Sequence, residues 1–161
     1  MPKRLKSPLR HRELAEAARN NQLQTMERLI ADGASPEAKD GNGQPALVNA
    51  AKGGHLDALK LLRRHGANFD ATDKYGYTAL MYAAGNGKAD CAEALLEWGA
   101  DKDAADKYGR TTLHWAAETG ELEIARLLAA ANADRAKKLS LIHISEPTRR
   151  TPISYAVFCL K

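Results

Sequence analysis

Apolar positions along this chain recur at two scales, one inside short segments and one between them. Leu47 is followed by the pair Ala50 and Ala51, Leu80 by Ala83 and Ala84, and Leu113 by Ala116 and Ala117. Spacings of three and four residues put each set on one face of a short helix. The sets themselves recur at one constant interval. Aligned end to end, the segments 40–72, 73–105 and 106–138 form three units of equal length without a gap. Residues 7–39 form a fourth, less regular unit, with Leu14, Ala17, Ala18, Leu29 and Gly33 in the same register as Leu47, Ala50, Ala51, Leu62 and Gly66. An irregular first unit is what a terminal cap of a repeat array looks like.

Polar columns punctuate the apolar ones. Asp40, Asp73 and Asp106 each precede a glycine by three residues, at Gly43, Gly76 and Gly109. That pattern suits a tight turn, in which the carboxylate accepts nearby backbone N–H groups and glycine takes a positive φ. Thr78 and Thr111 then stand where a hydroxyl caps the following helix. Pro45 replaces them in the second unit and predicts a helix that begins with proline in its first turn. The first helix ends at Gly54, Gly87 and Gly120, with Asn21 in the same slot of the first unit. Asparagine is the non-glycine residue that best tolerates the left-handed region, so the exception obeys the rule. Gly33, Gly66 and Gly99, followed by Asn132, predict the same ending for the second helix.

A helix pair of this size buries its apolar face only by stacking on neighbours, which predicts a one-dimensional solenoid. DKYGRTTLHWAAETGE, residues 106–121, resembles the ankyrin-repeat pattern D-x-x-G-x-T-P-L-H-x-A-A-x-x-G-H, departing at Thr112 and Glu121. The resemblance covers residues 7–138. It implies an all-α ankyrin-repeat solenoid of about four helix-turn-helix units joined by β-turn or hairpin loops. It also implies a protein–protein interaction module, binding a protein or peptide on the concave face formed by turn tips and first helices.

Composition agrees with helices. Hydrophobic residues make up 44% of the 161 residues and aromatics only 6%, which favours closely packed alanine-rich helices over a sheet sandwich. The formal net charge is +4, concentrated at the start in a basic arm of residues 1–6 and the adjoining Arg10 and Arg12. No apolar run has signal-peptide or membrane-spanning length, and the expectation is a soluble protein of the cytoplasm. The basic arm reads as a solvated tail in preference to a nucleic-acid or anionic-surface contact. Cys91 and Cys159 are too few for a disulfide framework or a zinc site. His114 and His55 lie at turn positions without a nucleophile or second base at fixed spacing, and Cys91 occupies a packing column. We therefore expect no enzyme activity, metal, cofactor or small-molecule substrate within the repeats.

The positions the fold leaves free hold Gly41, Asn42, Gln44 and Asn49 in the second unit. In the third they hold Lys74, Tyr75, Tyr77 and Tyr82, and in the fourth Lys107, Tyr108, Arg110 and Trp115. These last eight are the expected partner-binding residues, because tyrosine, tryptophan and arginine dominate interface energies. The alternative for Tyr75 and Tyr108 is that they stack on each other and stiffen the turns. The three cations favour a weakly acidic partner, although Asp73, Asp106 and Glu118 dilute the field.

The period stops after Lys138. Back-translated, LSLIHISEPTR (139–149) and ISYAVFCL (153–160) resemble two fixed segments of a transposase-type sequencing-library adapter, separated by the width of its barcode. TPISYAV at 151–157 imitates a helix-opening motif, but the position one period after Thr111 is Ile144, not Thr151, so the register is broken. The expectation is that 139–161 is translated adapter outside the fold. The repeats would then be a fragment, and a larger protein with a catalytic part stays open. In that case Leu122, Ile124, Leu127 and Leu128 should include surface meant for a following unit.

Overall fold

A computed structural model of the chain describes residues 8–142, with side chains described through residue 132. Its described residues form eight helices and no strand: α1 (Pro8–Arg19), α2 (Leu23–Ala31), α3 (Ala46–Gly53), α4 (Leu56–Arg64), α5 (Ala79–Gly85), α6 (Ala89–Glu97), α7 (Thr112–Thr119) and α8 (Leu122–Ile142). Within each unit the two helices pack against each other, and each packs on its counterpart in the next unit. The first helices α1, α3, α5 and α7 thus form one layer and the second helices another. This is the expected all-α solenoid of helix pairs.

The repeated apolar columns lie between the layers. Leu14, Leu47 and Leu80 from the first helices meet Met26, Leu59, Leu62 and Leu95 from the second, all buried. Ala50, Ala51, Ala83 and Ala84 are fully buried as well, and their small side chains let neighbouring first helices approach. Helix ends follow the predicted backbone rule. Gly54, Gly87 and Gly120 have φ of 75°, 67° and 74°, and Asn21, at 55°, is the non-glycine residue with positive φ among the described residues. Units are also tied backbone to side chain. Glu37 accepts from the Asn68 N–H at 2.6 Å, and Asp70 accepts from the Asp101 N–H at 2.8 Å.

Two local expectations change. Pro45 is not inside the first turn; it is the N-cap of α3, with extended backbone (φ −61°, ψ 149°) and no side-chain cap. Asn132 does not end the second helix of the fourth unit, because α8 continues through it to Ile142. Only glycine takes the left-handed region freely, and alanine-rich AAANADRA contains none, so helix propensity prevails. Of the four apolar residues expected at the open edge, Ile124 and Leu128 are buried against the preceding layer and Leu127 is half-buried. Leu122 alone of the four is exposed, at 72%.

Thr112 stands where the family pattern has proline, and its buried Oγ1 has no hydrogen-bond partner. It is the first residue of α7, and Thr111 before it is extended (φ −94°, ψ 174°). That is the backbone a proline at the first helical position requires, and no N–H is lost from the helix there. Thr112→Pro and Thr112→Val should each raise stability by about 1 kcal/mol, since an unsatisfied buried hydroxyl is removed. Urea unfolding measures this; a midpoint that is unchanged or lower in both variants contradicts it.

Candidate partner-binding surface

The inner surface begins at the three aspartates. In each turn one carboxylate oxygen takes two backbone N–H groups, two and four residues on. Asp40 Oδ1 accepts from Asn42 and Gln44 at 2.8 and 3.0 Å, Asp73 Oδ1 from Tyr75 and Tyr77 at 2.9 and 3.0 Å, and Asp106 Oδ1 from Tyr108 and Arg110 at 2.8 and 3.0 Å. The second oxygen reaches the first helix of the same unit. Asp40 Oδ2 accepts from Asn49 Nδ2 at 3.0 Å, Asp73 Oδ2 from the Tyr82 hydroxyl at 2.8 Å, and Asp106 Oδ2 from Trp115 Nε1 at 3.3 Å. Each aspartate therefore braces its turn against the helix that follows.

This geometry divides the eight expected partner-binding residues into two groups. Tyr77, Tyr82, Arg110 and Trp115 are half-buried and engaged with one another. The Tyr77 ring stands edge-on to Tyr82 at 5.6 Å and to Trp115 at 4.9 Å. Arg110 donates to Asp106 Oδ2 at 3.1 Å, the Tyr77 hydroxyl at 3.2 Å and Glu118 at 3.4 Å, and its guanidinium lies 4.7 Å from the Trp115 ring centre. Such edge-to-face and cation–π contacts each add to the burial of the rings. Lys74, Tyr75, Lys107 and Tyr108 form the second group and are exposed, Tyr108 to 69% and Tyr75 to 42%. The two exposed tyrosines do not stack on each other. Tyr75 pairs with Tyr77 at 5.7 Å, while Arg110 lies 5.5 Å from the Tyr108 ring centre. The Lys107 N–H donates to the Tyr75 carbonyl at 3.1 Å and joins the two turns.

Electrostatics follows from the same bonds. Burial opposes ionisation of Asp106, but the N–H groups of Arg110 and Tyr108, the Trp115 ring N–H and the Arg110 guanidinium outweigh it, so its pKa lies below the ordinary 3.8. Asp40 is likewise lowered: burial raises its pKa, and the Asn49 side chain, the Gln44 and Asn42 amides and the charge of Arg19 more than compensate. Burial above all, then the hydrogen bond to Asp73 and its charge, holds the Tyr82 phenol far above its usual range. A carboxylate with a depressed folded-state pKa binds fewer protons folded than unfolded, so its contribution is complete above about pH 4 and is lost as pH falls through the folded pKa. Urea midpoints should therefore fall on acidification below about pH 4, and Asp106→Asn should flatten part of that slope. A slope identical in the variant would remove Asp106 from the account.

Residues with catalytic potential have structural partners. His114 Nδ1 accepts from the Thr111 N–H at 3.1 Å and lies 2.9 Å from Thr111 Oγ1, which closes the first turn of α7. His55 Nε2 lies 2.9 Å from the Arg19 carbonyl in the preceding unit. Burial, then the charge of Asp90, pushes the Cys91 thiol up to about 11, against the opposing charge of Lys88. Cys91 is a packing residue. Trp98 covers the neighbouring unit, 5.7 Å from Phe69 and 4.8 Å from the Arg63 guanidinium. Among the described residues no group of three potential metal ligands occurs, and no helix is long and apolar enough to cross a membrane.

Sequence reasoning missed the brace to the first helix. Asn49, Tyr82 and Trp115 look like an unconstrained column, yet each carries a side-chain N–H or O–H, and a shared donor at the same offset from each aspartate was the signal available. Two family models match the chain: ankyrin repeats in three copies over residues 14–106, and a single ankyrin repeat over residues 108–138. No curated protein matches it.

Proposed function

Because the chain belongs to the ankyrin-repeat family, whose repeats are generally protein–protein interaction modules, we propose that it binds a partner protein or peptide on the concave face of its third and fourth units. The carrying observation is a pair of exposed tyrosines, Tyr75 and Tyr108, held on turns whose aspartates are fully hydrogen-bonded. Large exposed aromatics on a rigid base lose little entropy on binding, which is what an interface anchor needs. Tyr77, Tyr82, Arg110 and Trp115 are the floor of this surface. Lys74 and Lys107 at its rim favour a weakly acidic partner and act on association rate more than on affinity.

The test is a peptide selected on the full chain from a displayed random library. Tyr108→Ala should weaken its binding by about 2 kcal/mol, a hot-spot effect, while Trp98→Ala on the outer layer should leave it unchanged. Equal affinities for wild type and Tyr108→Ala contradict the proposal.

We propose also that residues 139–161 are translated adapter. The repeat period stops at residue 138, and the two back-translated segments keep the adapter's own spacing, which supports this reading. Helix α8 nevertheless runs on to Ile142, and residues 143–161 lie outside those the structure describes. Amplifying the locus across codon 138 tests it: codons for LSLIHISEPTRRTPISYAVFCLK in the genome would contradict it.

A further inference from the structure

The cations of the inner surface are not evenly used. Arg110, in the fourth unit, is spent on Asp106 and Glu118. Arg19, Lys52 and Lys74 differ: among the described residues none of them forms an ion pair, and all three line one cleft of about 220 Å³ that spans the first three units. Asn42 and Gln44 line it too and add amide groups.

The repeat register explains why the cations gather there. Arg19, Lys52, Gly85 and Glu118 occupy one column, each a full repeat after the last, so this column runs from basic at the first two units to acidic at the fourth. Gly85 contributes no side chain, and Trp115 occupies its space; a Cβ there would lie 2.8 Å from Trp115 Cε3. Lys74 enters from the turn of the third unit, with its ammonium 5.1 Å from the Tyr75 ring centre, while the Lys52 ammonium is 5.4 Å from the Tyr82 ring centre. Aromatic faces thus hold both ammonium groups without neutralising them.

Two carboxylates face the same region. Asp73 lines the cleft, and Asp40 feels the charge of Arg19. Their oxygens already accept hydrogen bonds from Tyr75, Tyr77 and Tyr82, and from Asn42, Gln44 and Asn49. The three cations keep their donors. A group with several acceptor oxygens and a double negative charge matches three cations lining one cleft better than a single carboxylate does.

The geometry points to this cleft as the binding site for the phosphate group of a phosphorylated peptide. It deepens the proposed function by giving the partner a chemistry, and it rests on that reading for the partner being a peptide. The cleft itself is tested by titrating inorganic phosphate into the ¹⁵N-labelled full chain, with ionic strength held constant by chloride. Saturable shifts at the amides of Asn42, Lys52 and Tyr75 are expected, weakened at least several-fold in Lys52→Gln. Linear shifts, or the same curve in the variant, overturn the site.

The carrier is tested with a degenerate peptide pool bearing a fixed central phosphoserine, compared with the same pool bearing serine or glutamate. Retention on the immobilised chain should be at least tenfold higher for phosphoserine, and Lys52→Gln should abolish the preference. Equal retention of the three pools, or preference for glutamate, overturns the assignment. Tyr75 also lines this cleft, but Tyr108 does not, so Lys52→Gln and Tyr108→Ala probe the two readings separately. Absence of phosphoserine preference in the wild-type chain, with selected peptides still sensitive to Tyr108→Ala, marks failure of this site, and indifference of selected peptides to Tyr108→Ala marks failure of the broader reading.

Discussion

Asp73→Ala should cost about 2–4 kcal/mol of folding stability, since hydrogen bonds to a charged acceptor are worth about 1.5–3 kcal/mol each and water replaces part of what is lost in a turn. The substitution leaves the N–H groups of Tyr75 and Tyr77 and the Tyr82 hydroxyl without their acceptor. For a domain whose whole stability is about 5–15 kcal/mol, that is a large share. Asp73→Asn separates the two oxygens. Its amide oxygen keeps the backbone bonds, while the NH₂ replaces the acceptor of Tyr82, so it should lose about half as much. Urea unfolding followed by circular dichroism decides. If Asp73→Ala and Asp73→Asn are both neutral, the aspartate does not brace the turn.

Leu80→Ala should cost about 3–4 kcal/mol, within the range for deleting a fully buried leucine and leaving a cavity. Leu80 is completely buried between the third unit and both its neighbours, and Leu47 one repeat earlier is 1% exposed. Leu113, in the same column of the fourth unit, is only half-buried. Its replacement by alanine should therefore cost about 1 kcal/mol, because water already reaches part of the side chain. The three substitutions have identical chemistry, so a gradient along the stack measures how much each unit owes to its neighbours. Equal losses at Leu47, Leu80 and Leu113 would contradict the packing described for the fourth unit.

The repeat and its turns were legible from the amino-acid order because they obey strong local rules. A positive φ is available to few residues, and Asn21 in a glycine column could be read as left-handed before its φ of 55° was seen. The aspartate turns were legible for the same reason. Asn132 was not, since a residue that tolerates the left-handed region does not demand it, and α8 runs through. The surface was only half legible. Arg110 and Trp115 are residue types that favour interfaces, but tertiary contacts with Asp106, Tyr77 and Glu118 occupy their polar groups. Asp106 and Glu118 lie in the same unit at offsets the sequence displays, but Tyr77 lies a full repeat away, and no local pattern carries that contact.

The central claim is that the braced turns and first helices of the third and fourth units form the binding face. Hydrogen exchange of the full chain, alone and with a peptide selected on it, tests this most directly. The account predicts added protection at residues 73–82 and 106–115. Protection confined to α4 and α6 in the outer layer would contradict it.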